Sequence, residues 1–175
     1  SYTPLSITFD DGEKNNLKNI LAGEVWVFAG QSNMEMPVKG FGNCPVEGYN
    51  KAVVEANQYK GIHYVKIPSV MSNKPLDDAS CEWKEISPET VGEASATGYF
   101  FAQVVNKALD IPVGLVMANK GGTRVESWLD RDYLKKNTKE ETDSAKIVKS
   151  KKFKWDFHYP LLWGNGTFHP ILNYT

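Results

Sequence analysis

Residues 23–37 read Gly-Glu-Val-Trp-Val-Phe-Ala-Gly-Gln-Ser-Asn-Met-Glu-Met-Pro, and this stretch decides the fold. Its first half, Val25-Trp26-Val27-Phe28-Ala29, is an unbroken apolar run closed by Gly30. A half-exposed strand would alternate, so a continuous run bounded by glycines predicts a central parallel strand buried on both faces. The chain then turns at once through Gln31-Ser32-Asn33. In an open parallel sheet ligands bind beyond the carboxyl ends of the strands, which is where this turn places Ser32.

Working outward, Val113-Gly114-Leu115-Val116-Met117-Ala118 is a second run of the same kind, followed by the tight turn Lys120-Gly121-Gly122-Thr123. Between the two, Ala52, Val53, Ala56 and Tyr59 fall near helical spacing in a segment from Glu47, closed by Gly61. Tyr64-Val65-Lys66-Ile67 reads as a strand stopped by Pro68, and the Pro-, Asp- and Ser-rich segment Ser69 to Gly92 as a long surface loop. Ser95 suits the N-cap of a helix running to Leu109, with an expected buried face of Tyr99, Phe100, Val104 and Ala108. Strands alternating with helices imply an α/β protein with a mainly parallel sheet, helices on both faces and right-handed crossovers. If the Trp26 and Val116 strands are neighbours, their two turns face each other across one crevice.

The ends are less regular. Leu5 to Phe9 alternate like a strand before an Asp10-Asp11-Gly12 turn, and a polar stretch with Leu17, Ile20 and Leu21 as apolar points follows. Leu134 to Lys154 is Lys-rich and reads as a solvated helix or a mobile excursion, and the tail that holds His158 and His169 as loop.

Composition narrows the function. A chain of 175 residues fits one domain, and a net charge of −1 gives no electrostatic case for nucleic acid or an anionic membrane. No apolar run approaches the roughly 20 residues of a membrane span, and no signal-peptide pattern opens the chain. Cys44 and Cys81 lack metal-type spacing, so they either pair in an oxidising compartment or stay thiols. No metal or cofactor is expected. Asn165-Gly166-Thr167 and Asn173-Tyr174-Thr175 fit the glycosylation pattern, which matters only in a eukaryotic secreted protein. Five Trp and eight Tyr exceed what a core this size needs, and flat rings suit sugar faces.

Ser32 supports two readings. Ser32-Asn33-Met34-Glu35 matches the S-x-x-E capping box, in which Ser32 caps a helix. The functional reading makes it a nucleophile on a strand-to-helix turn, with backbone N–H groups aimed at a developing oxyanion. The G-x-S-x-G elbow is not present, since position 34 is Met. Gly121-Gly122 either ends a strand or presents an unobstructed N–H to the same oxyanion.

Whole segments resolve the choice. Residues 23–37 resemble the signature of the sialate O-acetylesterase family, within the wider SGNH hydrolases. The resemblance continues through Trp83, Ser87-Pro88-Glu89-Thr90, residues 94–101, Ile111-Pro112-Val113-Gly114-Leu115 and residues 121–128, and reaches Asn165-Gly166 and Pro170. It implies a three-layer α/β/α fold of flavodoxin-like type. Ser32 would attack an acetyl carbonyl, with a histidine as general base and the N–H groups of Ser32 and Gly121 on the oxyanion. Gly122 would keep the turn tight, and Gln31, Asn33, Glu126 and Trp128 would line or support the pocket. The implied partner is an acetylated carbohydrate and the implied setting secreted, periplasmic or lysosomal.

The sequence departs from this pattern in two places. The family's Gln-Gly-Glu-x-Asn block, which supplies an oxyanion asparagine, is not found, nor is its D-x-x-H block. The residues three before His63, His158 and His169 are Lys60, Trp155 and Gly166. A catalytic His and Asp are therefore not expected in this chain. Residues 1–20 read as the remnant of a preceding β-domain or an edge segment, and 21–175 as the first part of the esterase domain. On this reading the fold is incomplete, finished by a further C-terminal segment or a second chain. The competing readings are a non-catalytic carbohydrate-binding domain, or a scaffold without ligand.

Overall fold

A computed structural model describes residues 2–3, 5–10, 14–149 and 160–172. The strands are β1 (Leu5–Asp10), β2 (Lys14–Ile20), β3 (Glu24–Gly30), β4 (Ile62–Lys66), β5 (Trp83–Glu85) and β6 (Val113–Asn119). The α-helices are α1 (Ser32–Glu35), α2 (Tyr49–Glu55), α3 (Ala96–Leu109), α4 (Arg131–Asn137), α5 (Ser144–Lys149) and α6 (His169–Leu172). β1 and β2 form a hairpin, and the other four form a sheet in the order β3-β6-β4-β5.

Hydrogen bonds at the strand ends give the directions. Glu24 N–H donates to Pro112 O at the start of β3 and β6, and Lys120 N–H donates to Gly30 O at their finish. Val113 N–H to Gly61 O and Ile67 N–H to Met117 O align β6 with β4 in the same sense. The sheet is mixed and mostly parallel, flanked by helices, so the α/β class is borne out.

The apolar run 25–29 is not a central strand. β3 lies at the edge of the four-stranded sheet, and Val25 is 61% exposed, with Trp26 and Val27 exposed beside it. Phe28 is its buried side chain. The strand buried along nearly its whole length is β6, which has a neighbour on each side.

The described residues divide into two compact units. The first comprises residues 1–26, 37–64 and 83–115. Its hairpin pairs Leu5 with Ile20 but Ile7 with Leu17, so β2 carries one extra residue, and Asn19 takes φ 59° within that stretch. This bulge puts Leu17 and Ile20 three apart, a spacing that hides a strand from a period-two reading. The helix expected after Glu47 is α2, extended by a tight turn over Ala56–Tyr59.

α3 starts as expected, with Ser95 Oγ accepting from Gly98 N–H at 3.2 Å. Its buried residues are Ala96, Gly98, Tyr99, Ala102 and Asn106, not the predicted set. Only Tyr99 is shared, since Phe100 and Ala108 are exposed and Val104 is 68% exposed. Small residues let the helix approach closely, and Asn106 Nδ2 donates to Ile111 O at 2.7 Å and Tyr2 Oη at 3.0 Å. Weighting large apolar side chains selected the wrong stripe. Burial pushes the Tyr99 and Tyr64 phenols up to about 12. The loop expected over 69–92 is interrupted by β5 and by a helical turn at Val91–Glu93.

The second unit comprises residues 27–36, 65–82 and 116–175. Val65, Ile67, Val116, Ala118 and Ile171 form one buried cluster, and Leu134, Ile147, Leu161 and Leu162 another. The Lys-rich segment is thus less solvated than its composition suggests: α4 and α5 each bury one aliphatic anchor. The tail around His169 is helical, a wide turn over Gly164–Phe168 leading into α6, and not the loop expected. Gly166 is fixed by space, because a Cβ there would lie 2.1 Å from Val70 O. His158 and the Asn173 triplet lie outside the described residues.

Candidate active site

The candidate site lies wholly in the second unit, where β3 and β6 end. Gly30 closes β3 with φ 147°, a conformation that suits glycine. The chain then reverses into α1, whose turn is closed by Met34 and Glu35 N–H donating to Gln31 O, each at 2.9 Å. The N-cap is Gln31, not Ser32, and no side chain caps the helix. Ser32 is the first helical residue, half-buried, so the capping-box reading does not describe what it does. Ser32 Oγ donates a long bond, 3.4 Å, to Gln31 Oε1.

Because β3 and β6 are hydrogen-bonded neighbours, their turns do converge. A Cβ built on Gly121 would lie 3.6 Å from Ser32 Cβ and 3.7 Å from Ser32 Cα. The Gly121 N–H donates to Glu35 Oε2 at 2.5 Å, and Lys120 Nζ stands 3.9 Å from Glu35 Oε1. Asn119, buried at the end of β6, donates from Nδ2 to Met34 O at 3.1 Å and accepts at its carbonyl from Ser69 Oγ.

The Gly121 turn is braced by Thr123, which is 3% exposed. Thr123 Oγ1 donates to Lys120 O and accepts from Trp128 Nε1, both at 2.8 Å. Gln31 Nε2 donates to Thr123 O at 3.2 Å, tying the first turn to the second. Trp128 stacks on Trp163 with ring centres 6.5 Å apart. Gln31, Thr123, Val125 and Trp128 border a cavity of about 300 Å³ that Gly30 and Phe168 help to close.

The predicted residues divide accordingly. Ser32, Gly121 and Gln31 come together, and Trp128 joins them through Thr123. Gly122 takes φ 78° with open space where a Cβ would stand, which suits the tight-turn expectation. Asn33 is exposed. Glu126 pairs with Arg124, which also holds Glu140 at 2.8 Å. The Arg124 guanidinium keeps the Glu126 carboxyl below the ordinary range, and both acids hold Arg124 high. Three contributors were not read from sequence: Glu35, Asn119 and the brace at Thr123. The S-x-x-E spacing did single out Glu35, but as a capping partner.

Neither described histidine bonds to Ser32. His169 Nδ1 lies 3.0 Å from Leu76 O, and His63 sits in the first unit beside Trp83, on a cavity of about 390 Å³. Cys44 and Cys81 are both free and exposed, and partial loss of hydration, with the Asp78 carboxylate nearby, raises the Cys81 thiol. Among the described residues no acidic, Cys and His cluster is arranged to hold a metal, and no helix is long and apolar enough to cross a membrane.

A serine on the turn that leaves a parallel strand, facing a glycine turn from the neighbouring strand, is the arrangement of an α/β domain whose crevice lies beyond the carboxyl ends of its strands. Comparison with known proteins gives the family. The family described as carbohydrate esterase, sialic acid-specific acetylesterase matches residues 22–157, and the chain belongs to it. It is 25% identical over 188 residues to the sialate O-acetylesterase of Mus musculus and 26% identical over 170 residues to that of Homo sapiens. Each match covers 90% of this chain but 34% and 30% of the relative, so the chain spans about a third of their length. A crystal structure of a carbohydrate acetylesterase from Xanthomonas citri superposes with a TM-score of 0.75 at 28% identity, covering 94% of this chain and 33% of that one.

Proposed function

We propose that this chain carries the nucleophile half of a carbohydrate O-acetylesterase acting on an acetylated sugar such as an O-acetylated sialic acid. The observation that carries the proposal is the closeness of the two turns, in which a Cβ added at Gly121 would stand 3.6 Å from Ser32 Cβ. Ser32 Oγ attacks the acetyl carbonyl and gives up its proton to a general base. The sugar hydroxyl leaves with that proton, and water then releases acetate from the acyl-serine. The N–H groups of Ser32 and Gly121 bind the oxyanion, and the cavity beside Gln31 and Trp128 receives the substrate. No described residue fills the role of base, and the chain spans about a third of its relatives' length, so we assign the base to polypeptide outside the described residues, in a continuation or a second chain. The family resemblance supports a secreted, periplasmic or lysosomal setting.

The test is fluorophosphonate labelling of the polypeptide completed with its general base, read by mass spectrometry of the modified peptide. Ser32 is the expected site, and Ser32→Ala should abolish the adduct. The 175 residues alone should hydrolyse p-nitrophenyl acetate barely above background. Loss of a triad member leaves only about 10³–10⁴-fold acceleration over water, and here an oxyanion donor is also wanting. In the completed polypeptide, adduct on a different residue would refute Ser32 as the nucleophile, and sugar binding with no reaction at Ser32 would establish a non-catalytic carbohydrate-binding domain instead.

A further inference from the structure

We propose that Glu35 is a positioning residue of this site, its carboxylate holding the Gly121 turn against the turn that carries Ser32. The inference rests on the nucleophile reading of Ser32 and adds to it the group that sets the oxyanion donor in place.

In a capping box, the acid three residues after the serine folds back on its own helix. Glu35 does not. One carboxylate oxygen takes the Gly121 N–H at 2.5 Å, and the other faces the Lys120 ammonium at 3.9 Å. The side chain is 16% exposed, so the bond to Gly121 is largely shielded from water. The Lys120 pair is longer and half-exposed, a geometry that contributes little by itself. The directional element is the bond from the peptide N–H to the carboxylate, and such charge-assisted bonds are about twice as strong as neutral ones.

The surrounding contacts show what this bond completes. Lys120 N–H to Gly30 O and Asn119 Nδ2 to Met34 O already tie the end of β6 to the end of β3 and to α1. Gly121 is the next residue along, and its link to α1 is Glu35. A Cβ at position 121 would lie 2.8 Å from Glu35 Oε2, so a side chain there would push the carboxylate aside. An oxyanion donor is effective only when aimed before the charge develops. Glu35 fixes the place of that peptide in the resting site, with its N–H already engaged. The oxyanion, the former acetyl carbonyl oxygen of the adduct on Ser32, then shares the Gly121 proton in a three-centre bond, with Lys120 offsetting the nearby carboxylate.

Two readouts on the polypeptide completed with its general base test this: the Gly121 amide proton shift by NMR, and the fluorophosphonate labelling rate of Ser32. Wild type should show Gly121 far downfield. Glu35→Ala should move it upfield and slow labelling by about 10²-fold, the scale of a misplaced or lost oxyanion donor, with far-UV circular dichroism unchanged. Glu35→Gln, whose amide oxygen can accept the same N–H, should recover labelling to within about 10-fold of wild type, given its weaker uncharged bond. Should the alanine variant fail to fold, Glu35→Asp serves, because a carboxylate withdrawn by one methylene cannot keep the contact. Labelling of Glu35→Ala or Glu35→Asp at the wild-type rate overturns the proposal, as does a Gly121 amide that either variant leaves in place. Glutamine as slow as alanine would show that charge, not the accepted bond, is what matters, and also overturns it. Wild type that never labels at Ser32 defeats the nucleophile reading itself, a pattern distinct from the others.

Discussion

Thr123 offers the sharpest test of how the candidate site is held. Replacing it by Val keeps the shape and removes one hydroxyl. That hydroxyl serves Lys120 O as a donor and Trp128 Nε1 as an acceptor, both at 2.8 Å, in a side chain 3% exposed. Two bonds disappear together. A typical bond contributes a net 0.5–1.5 kcal/mol, roughly, and a buried group left unpaired costs about 1–3 kcal/mol. Lys120 is only half-buried, so its carbonyl can turn to water, whereas the indole N–H is wedged between Thr123 and the Trp163 stack. The expected loss is therefore about 2–4 kcal/mol, below the full sum because one partner is rescued by solvent. Thr123→Ser is the control: it keeps the hydroxyl and removes one methyl, at a cost of about 1 kcal/mol. Urea denaturation followed by tryptophan fluorescence measures both, and the two variants should separate by at least about 1 kcal/mol. A valine variant as stable as the serine one would refute the brace.

Two further outcomes follow from burial. Leu134→Ala should destabilise by about 2–5 kcal/mol, since Leu134 is fully buried in its cluster, whereas Val104→Ala should stay within about 0.5 kcal/mol despite its helical position. Equal effects in thermal melts would restore the helix face expected from sequence. Tyr64 and Tyr99 ionise near 12 in the folded protein against 10.0 when free. The unfolded chain loses these protons first, so their contribution is complete below pH 10 and is lost as pH rises towards 12. Melting temperature should fall across that window, and a Tyr64→Phe, Tyr99→Phe double variant should fall less steeply.

Much of this architecture was legible because it depends on short-range patterns. Val113–Ala118 is apolar throughout and is buried at every position but Gly114. Ser95 stands one residue before its helix and caps it. The Ser32 and Gly121 turns were found because each follows an apolar run and ends it with glycine. What failed depended on neighbours that no local window contains. Residues 25–29 have the composition of a doubly covered strand, but whether a second neighbour is present is a fact about the sheet, and here β3 is its edge. Phe100 and Val104 look like a core face, but Ala102 and Asn106 fit the available space better.

Glu35 shows why the site itself was only half visible. The spacing from Ser32 to Glu35 satisfies two arrangements that the sequence cannot separate, since in both the acid accepts a backbone N–H. In one, that N–H belongs to the residue at the helix start. In the other it belongs to Gly121, 86 positions along the chain. The first arrangement needs nothing beyond four residues, so local reasoning prefers it. The second becomes available only once β3 and β6 are paired in parallel, which brings both turns to the same end of the sheet. A carboxylate at that end then meets a donor already held by the β6 ladder, with little further ordering needed, while folding back would require a Ser32 cap that the observed Gln31 cap does not provide. The sheet pairing decides which bond Glu35 makes, and so turns a helix-capping pattern into part of the site.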